Sequence, residues 1–193
     1  MTTWKGRRGP LANVLLVLAL VLCFSAPALW AQVCSNLAGS SIYLVRHAEK
    51  LEGPDPGLTA AGMARAEALK DKLDGVHLDA IYVTQWQRTQ LTAAPIAQAR
   101  DLSPIVRSIR GRPISEHVQA LIADLNANHC GETVLLVGHS NTLPRIIYSL
   151  TGKQIGEMNE QTYNRLFHIR FQAGQPVEVI RTEYGAPNPI AGP

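Results

Sequence analysis

An arginine and a histidine stand side by side where an apolar run ends: Ile42-Tyr43-Leu44-Val45 leads into Arg46-His47-Ala48-Glu49-Lys50. A second such run, Thr133 to Val137, leads into Gly138-His139-Ser140-Asn141-Thr142. A third, Ala80 to Thr84, is followed by Gln85-Trp86-Gln87-Arg88. If the runs are strands, three strand ends deliver two imidazoles and two guanidiniums. A neutral imidazole is a nucleophile. The planar fork of arginine matches phosphoryl oxygens. The set suits attack by one imidazole on a phosphoryl group, while the other imidazole, Arg46, Arg88 and the nearby Ser140 bind its oxygens. Two nearby guanidiniums should also lower the imidazole pKa from its usual ~6.5 and keep His47 uncharged.

The elements that must position these groups alternate. Strands are expected at Ser41 to Val45, Ala80 to Thr84, Ile105 to Ile109 and Thr133 to Val137. Helices are expected at Thr59 to Leu73, with Met63, Ala66, Leu69 and Leu73 on the buried face, and at Gln87 to Arg100, where Pro95 should kink or split the helix. A third helix spans Ser115 to Asn126 with Ser115 as its cap, and a fourth spans Thr142 to Leu150 with Pro144 in its first turn. Leu166 to Phe171 and Val177 to Arg181 read as closing strands joined by a turn at Ala173-Gly174-Gln175-Pro176. Such alternation predicts an α/β fold, a mainly parallel open sheet with helices on both faces. Ligands of these sheets bind beyond the strands' carboxyl ends. The loop Gly53-Pro54-Asp55-Pro56-Gly57 should form part of the rim.

Arg46-His47-Ala48-Glu49 resembles the Arg-His-x-Glu signature of the histidine phosphatase superfamily, which includes the phosphoglycerate mutases. Three more stretches agree in order and spacing. Leu58-Thr59-Ala60-Ala61-Gly62 resembles its Leu-Ser/Thr-x-x-Gly helix start. Thr84 to Ala93 resembles its Ser/Thr-x-x-x-Arg-x-x-x-Thr-Ala segment. Val137-Gly138-His139-Ser140 resembles its second-histidine motif. The likeness runs from about Ile42 to Thr151 and implies a phosphoglycerate mutase-like fold of the small bacterial branch. It implies that His47 carries a transient phosphohistidine, that Arg46, Arg88 and His139 hold the phosphoryl oxygens, and that Glu49 orients its neighbours. It implies a phosphatase with no metal or other cofactor, acting on phosphomonoesters or phosphohistidine. The substrate would be a phosphorylated small molecule, glycan or protein.

A departing alkoxide needs a proton donor. Ser140 and Asn141 follow the second histidine, where the phytase-like branch has an acid. In the segment that supplies the mutase-like glutamate, Ser103 to His117, the one candidate is Glu116. A phosphoryl pocket without an acid would instead be a non-catalytic phospholigand-binding module. A third reading takes Gly138-His139-Ser140-Asn141-Thr142 as an imperfect nucleophile elbow, which makes Ser140 a serine hydrolase nucleophile with His168 as its base.

The chain has 193 residues. Met1 to Ala31 has the basic start, apolar core and small residues of a secretory signal. The expected organisation is a signal peptide over 1–31, the catalytic domain over 32–186 and a flexible tail over 187–193. Export to the periplasm or beyond follows, with a membrane contact only through an uncleaved signal. Without that segment, basic and acidic residues balance, so the composition makes no case for a nucleic-acid binder, which needs a clustered basic face. Cys34 and Cys130 would both survive cleavage and sit before strands at the sheet's N-terminal end, placed for a disulfide.

Overall fold

The computed structural model describes residues 1, 37–156 and 158–188. The expected signal segment and Cys34 lie outside the described residues. Among these residues, no helix is long and apolar enough to cross a membrane. The elements follow in the order β1 (Ser41–Arg46), α1 (Ala60–Lys72), β2 (Ala80–Val83), α2 (Gln87–Ala99), β3 (Ile105–Val106), α3 (Ile114–Asn128), β4 (Thr133–Gly138), α4 (Leu143–Thr151), β5 (Arg165–Arg170) and β6 (Glu178–Glu183).

Six strands form one sheet in the order β3-β2-β4-β1-β5-β6. β1, β2, β3 and β4 pair in parallel, while β5 and β6 add an antiparallel edge. The predicted α/β class and mainly parallel sheet are what is found. Alternate residues of the central strands enter two separate cores. Leu44, Val134 and Leu136 pack with Leu121, Leu125 and Ile146 of α3 and α4. Val45, Leu135 and Val137 pack with Leu69 of α1 and Ile96 of α2. A strand buried on both faces reads as an unbroken apolar run, which is why these strands are legible.

Local details depart from the sequence reading. Pro95 lies inside α2, and the helix runs through it. Ala93, Ile96 and Ala97 beside it are buried, and that packing outweighs the ~3 kcal/mol penalty of an internal proline. β3 is short: Arg107 N–H still donates to Val83 O of β2, but Ile109 N–H turns to the Gln85 side chain. Ser115 is not the cap of α3. The helix starts one residue earlier, with Pro113 at the cap position and no side-chain cap. Met63 is 58 % exposed, because the core-facing side of α1 is set by Gly62, Arg65, Ala66 and Leu69. Asn188, expected in the loose tail, accepts the N–H groups of Tyr163 and Asn164 at 2.8 and 3.2 Å.

Candidate active site

Parallel pairing of β1 with β4 places Arg46 opposite Gly138. His47 N–H then donates to Gly138 O at 3.0 Å. Each histidine therefore emerges one residue beyond the paired end of neighbouring strands. Their ring centroids are 5.4 Å apart, edge to face. Both rings are buried.

The Nδ1 of His47 lies 2.8 Å from Ala48 O. A carbonyl oxygen only accepts, so Nδ1 carries the proton and Nε2 keeps its lone pair. His139 is held through Nε2, 3.0 Å from the Thr84 hydroxyl. Burial, opposed by the Ala48 carbonyl and helped by the charges of Arg46, Arg88 and Lys50, pushes His47 down to about 3. Burial also pushes His139 down to about 3, helped by His47, Arg88, Arg46 and His117. The arginine repulsion that the sequence predicts is present, but desolvation is the larger cause. Both imidazoles are neutral at pH 7.

Arg46, next to the nucleophile in the chain, is buried. Its Nη1 donates to the carbonyls of Asn159, Glu160 and Thr162, and its guanidinium lies 4.2 Å from the Tyr163 ring centroid. Arg88 sits in the first turn of α2, with its guanidinium 5.0 Å from the Trp86 ring centroid. The Nε groups of both arginines are buried without a hydrogen-bond partner. Neither arginine forms an ion pair among the described residues. An unmet buried donor costs ~1–3 kcal/mol, and more when charged. Two of them beside two neutral imidazoles are conditions that an oxyanion relieves.

Threonines build the frame. Thr89 Oγ1 accepts Thr84 N–H at 3.1 Å and lies 3.0 Å from Thr84 Oγ1, which carries His139. Thr92 Oγ1 accepts Ala48 N–H at 2.9 Å and donates to Arg88 O at 2.6 Å. The rim loop does join the site: Asp55 accepts Gln87 N–H at 2.9 Å and caps α2 across the chain. That contact supplies the cap that Trp86 lacks.

Glu49 turns away from the phosphoryl hollow. Its carboxylate accepts from Arg65 Nε and Nη2, the closest contact being 2.7 Å. Arg65 in turn donates to the carbonyls of Tyr184 and Ala186. Thr59 caps α1 by accepting Gly62 N–H at 3.0 Å. A Cβ on Gly62 would stand 2.1 Å from Glu49 O. The helix start therefore needs glycine so that it can close onto the strand carrying His47.

The remaining expected residues are placed as follows. Ser140 is half-buried in the turn after β4 and lines a cavity of about 370 Å³ with Asn141, Arg145 and Glu160. Glu116 is exposed in the first turn of α3, with no hydrogen bond or ion pair to the histidines among the described residues. His168 does not reach Ser140. It stacks on Tyr43 with centroids 4.1 Å apart and lies 3.2 Å from the Ser41 hydroxyl. Ser41 opens β1, on the order of 16 Å from the end that carries the site. His168 is therefore not placed to act as base to Ser140. Cys130 precedes β4 at the opposite end of the sheet from the histidines, 3.8 Å from Ala38 O. Among the described residues no group of three or more His, Cys, Asp or Glu is placed to hold a metal.

Sequence reasoning missed Tyr163, Glu160 and the full roles of Thr84, Thr89 and Thr92. The threonines lie inside the segment Thr84 to Ala93, where Arg88 is the residue whose chemistry is evident from its type. Tyr163 and Glu160 lie in an irregular segment far along the chain, and no periodicity marks them.

Residues 42–109 match the family model of the histidine phosphatase superfamily (branch 1). A protein named phosphoserine phosphatase 1, from Hydrogenobacter thermophilus, is 40 % identical over 72 residues, covering 33 % of this chain and 34 % of that protein. The match thus spans about a third of that relative. Among solved structures, the protein histidine phosphatase SixA complexed with tungstate superposes with a TM-score of 0.58 at 15 % identity, over 74 % of this chain and 96 % of that one. A candidate α-ribazole-5'-P phosphatase from Escherichia coli gives a TM-score of 0.60 at 18 % identity, over 75 % and 96 %. These likenesses show the fold.

Proposed function

We propose that this chain, whose residues 42–109 match the model of branch 1 of the histidine phosphatase superfamily and whose fold resembles that of a solved protein histidine phosphatase, hydrolyses phosphomonoesters through a phosphohistidine on His47. The observation that carries this reading is the pair of buried, neutral imidazoles 5.4 Å apart, flanked by two arginines with unmet donors. In the first step Nε2 of His47 attacks phosphorus, an N–P bond forms, and the bond to the leaving oxygen breaks. Arg46 and Arg88 stabilise the charge on the equatorial oxygens. His139 binds the same group through the ring nitrogen that Thr84 leaves unoccupied. In the second step water attacks phosphorus, the N–P bond breaks, and inorganic phosphate departs with His47 regenerated.

The leaving oxygen takes its proton from Glu160 in this scheme. Two observations support it. Glu160 lies near enough to Arg46 for their charges to interact, and it lines the cavity beside Ser140 and Asn141. Glu116 has neither relation. Glu49 also acts on Arg46, but Arg65 holds its carboxylate.

The reading extends to export and to a disulfide between Cys34 and Cys130. Its support is the leader-like start of the sequence and the position of Cys130 away from the site. Mass measurement of the intact protein with and without reductant tests the bond.

Turnover of p-nitrophenyl phosphate by the purified chain, and its loss in His47→Ala, test the function. Acid-labile, base-stable labelling from a phosphoryl donor is expected in the wild type and absent in His47→Ala. Retention of turnover in that variant would refute the nucleophile. Phosphate binding without any turnover in the wild type would favour the binding-module reading.

A further inference from the structure

Trp86 carries two guanidiniums. Arg88 lies 5.0 Å from its ring centroid and Arg110 lies 5.3 Å from it, both within cation–π range. Arg88 belongs to the phosphoryl hollow. Arg110 comes from the loop that leaves the carboxyl end of β3, next to the end of β2. Two backbone N–H groups pin that loop to the β2 end: Arg107 N–H donates to Val83 O at 2.8 Å, and Ile109 N–H donates to Gln85 Oε1 at 3.0 Å. The loop thus stands at the same sheet edge as the histidines.

The charges of this loop are unequally used. Arg107 pairs with Asp124 at 2.8 Å. Arg110 and Arg112 are exposed and form no ion pair among the described residues. With Ser108 and His117 they line a cavity of about 300 Å³. Trp86 restrains the Arg110 guanidinium without neutralising it, which lowers the entropy lost when an anion binds. Like charges gathered at one rim repel, and an arriving anion removes that repulsion.

We infer that Arg110, braced on Trp86 and assisted by Arg112, binds a second anionic group of the substrate while Arg46 and Arg88 hold the reacting phosphoryl group. The inference rests on the phosphatase reading and narrows it. The substrates are phosphomonoesters whose organic part carries a further carboxylate or phosphate. Arg110 sets specificity and takes no part in bond making.

Non-hydrolysable ligands separate the two claims. Calorimetric titration at one ionic strength would compare propylphosphonate, 3-phosphonopropionate and propane-1,3-diylbisphosphonate with the full chain. Binding of propylphosphonate reports the phosphoryl hollow alone. The two ligands with an anionic tail are expected to bind at least tenfold more tightly, and their ranking tells carboxylate from phosphate. Arg110→Ala should bring both to within about twofold of propylphosphonate and leave propylphosphonate itself unchanged, which also shows that the variant is folded. Arg110→Lys should retain part of the gain. Equal affinity for all three ligands in the wild type overturns the inference and leaves the hollow intact. Equal weakening of all three by Arg110→Ala also overturns it, by moving Arg110 onto the reacting group. Failure of propylphosphonate to bind removes the phosphatase reading, and the inference falls with it.

Discussion

The hydroxyl of Thr92 accepts the backbone N–H of Ala48 at 2.9 Å, one residue beyond the nucleophile. The same hydroxyl donates to Arg88 O at 2.6 Å. One oxygen on α2 thereby locks the β1 end, which carries His47, to the helix turn that carries Arg88.

Thr92→Val keeps the shape and removes both bonds. Ala48 is fully buried, so its N–H is left unmet at a cost of about 1–3 kcal/mol. Turnover is expected to fall about 10–100-fold because the nucleophile and the cation lose their mutual placement. Thr92→Ser should restore most of it. Steady-state kinetics alongside denaturant titration check this, and unaltered turnover in the valine variant would show that the lock is idle.

Gly62→Ala puts a methyl group where Glu49 O already stands, 2.1 Å from the new Cβ. The carbonyl belongs to the strand exit, so relief requires backbone movement. A loss of about 1–3 kcal/mol is expected from this overpacking, measured as a lower urea midpoint. Ala61→Gly, one residue away on the exposed side, should cost only about 1 kcal/mol.

His47 and His139 are each held at about 3 in the folded chain, against ~6.5 when unfolded. Between those values the unfolded chain binds protons that the folded chain refuses. The stability contribution is therefore complete above about pH 6.5 and is lost as pH falls toward 3, at up to about 1.4 kcal/mol per pH unit for each histidine. Urea titrations at about pH 7 and about pH 5 should show this drop. His139→Gln should shrink it, and an equal drop in both proteins would contradict the assignment.

If Glu160 gives up the proton, the leaving group decides its importance. Glu160→Gln should slow propyl phosphate about 10–100-fold, in line with general-acid effects, while p-nitrophenyl phosphate, whose phenolate leaves unaided, changes less than about threefold. Glu116→Gln should leave both rates unchanged. The reverse pattern would return the role to Glu116.

The sequence alone determined the sheet, because strands covered on both faces must be apolar throughout. Runs such as Val134-Leu135-Leu136-Val137 have no other economical reading. It also determined that Arg46, His47, Arg88 and His139 would share one edge, since parallel strands end together and each group follows a strand end. The glycine at Gly62 and the cap at Thr59 were legible as a pattern, although their reason, the approach to Glu49 O, was not.

Tertiary structure decided what depends on distance between remote segments. Asp55 caps a helix 32 residues away, and Arg46 reaches carbonyls more than 110 residues away. Tyr163, Glu160 and Arg110 reach the edge through loops, where neither period 2 nor period 3.6 constrains the chain. Burial, a property of the assembled sheet and helices, is what neutralises the two histidines. A motif names its residues, but only packing sets how much water and charge surround them.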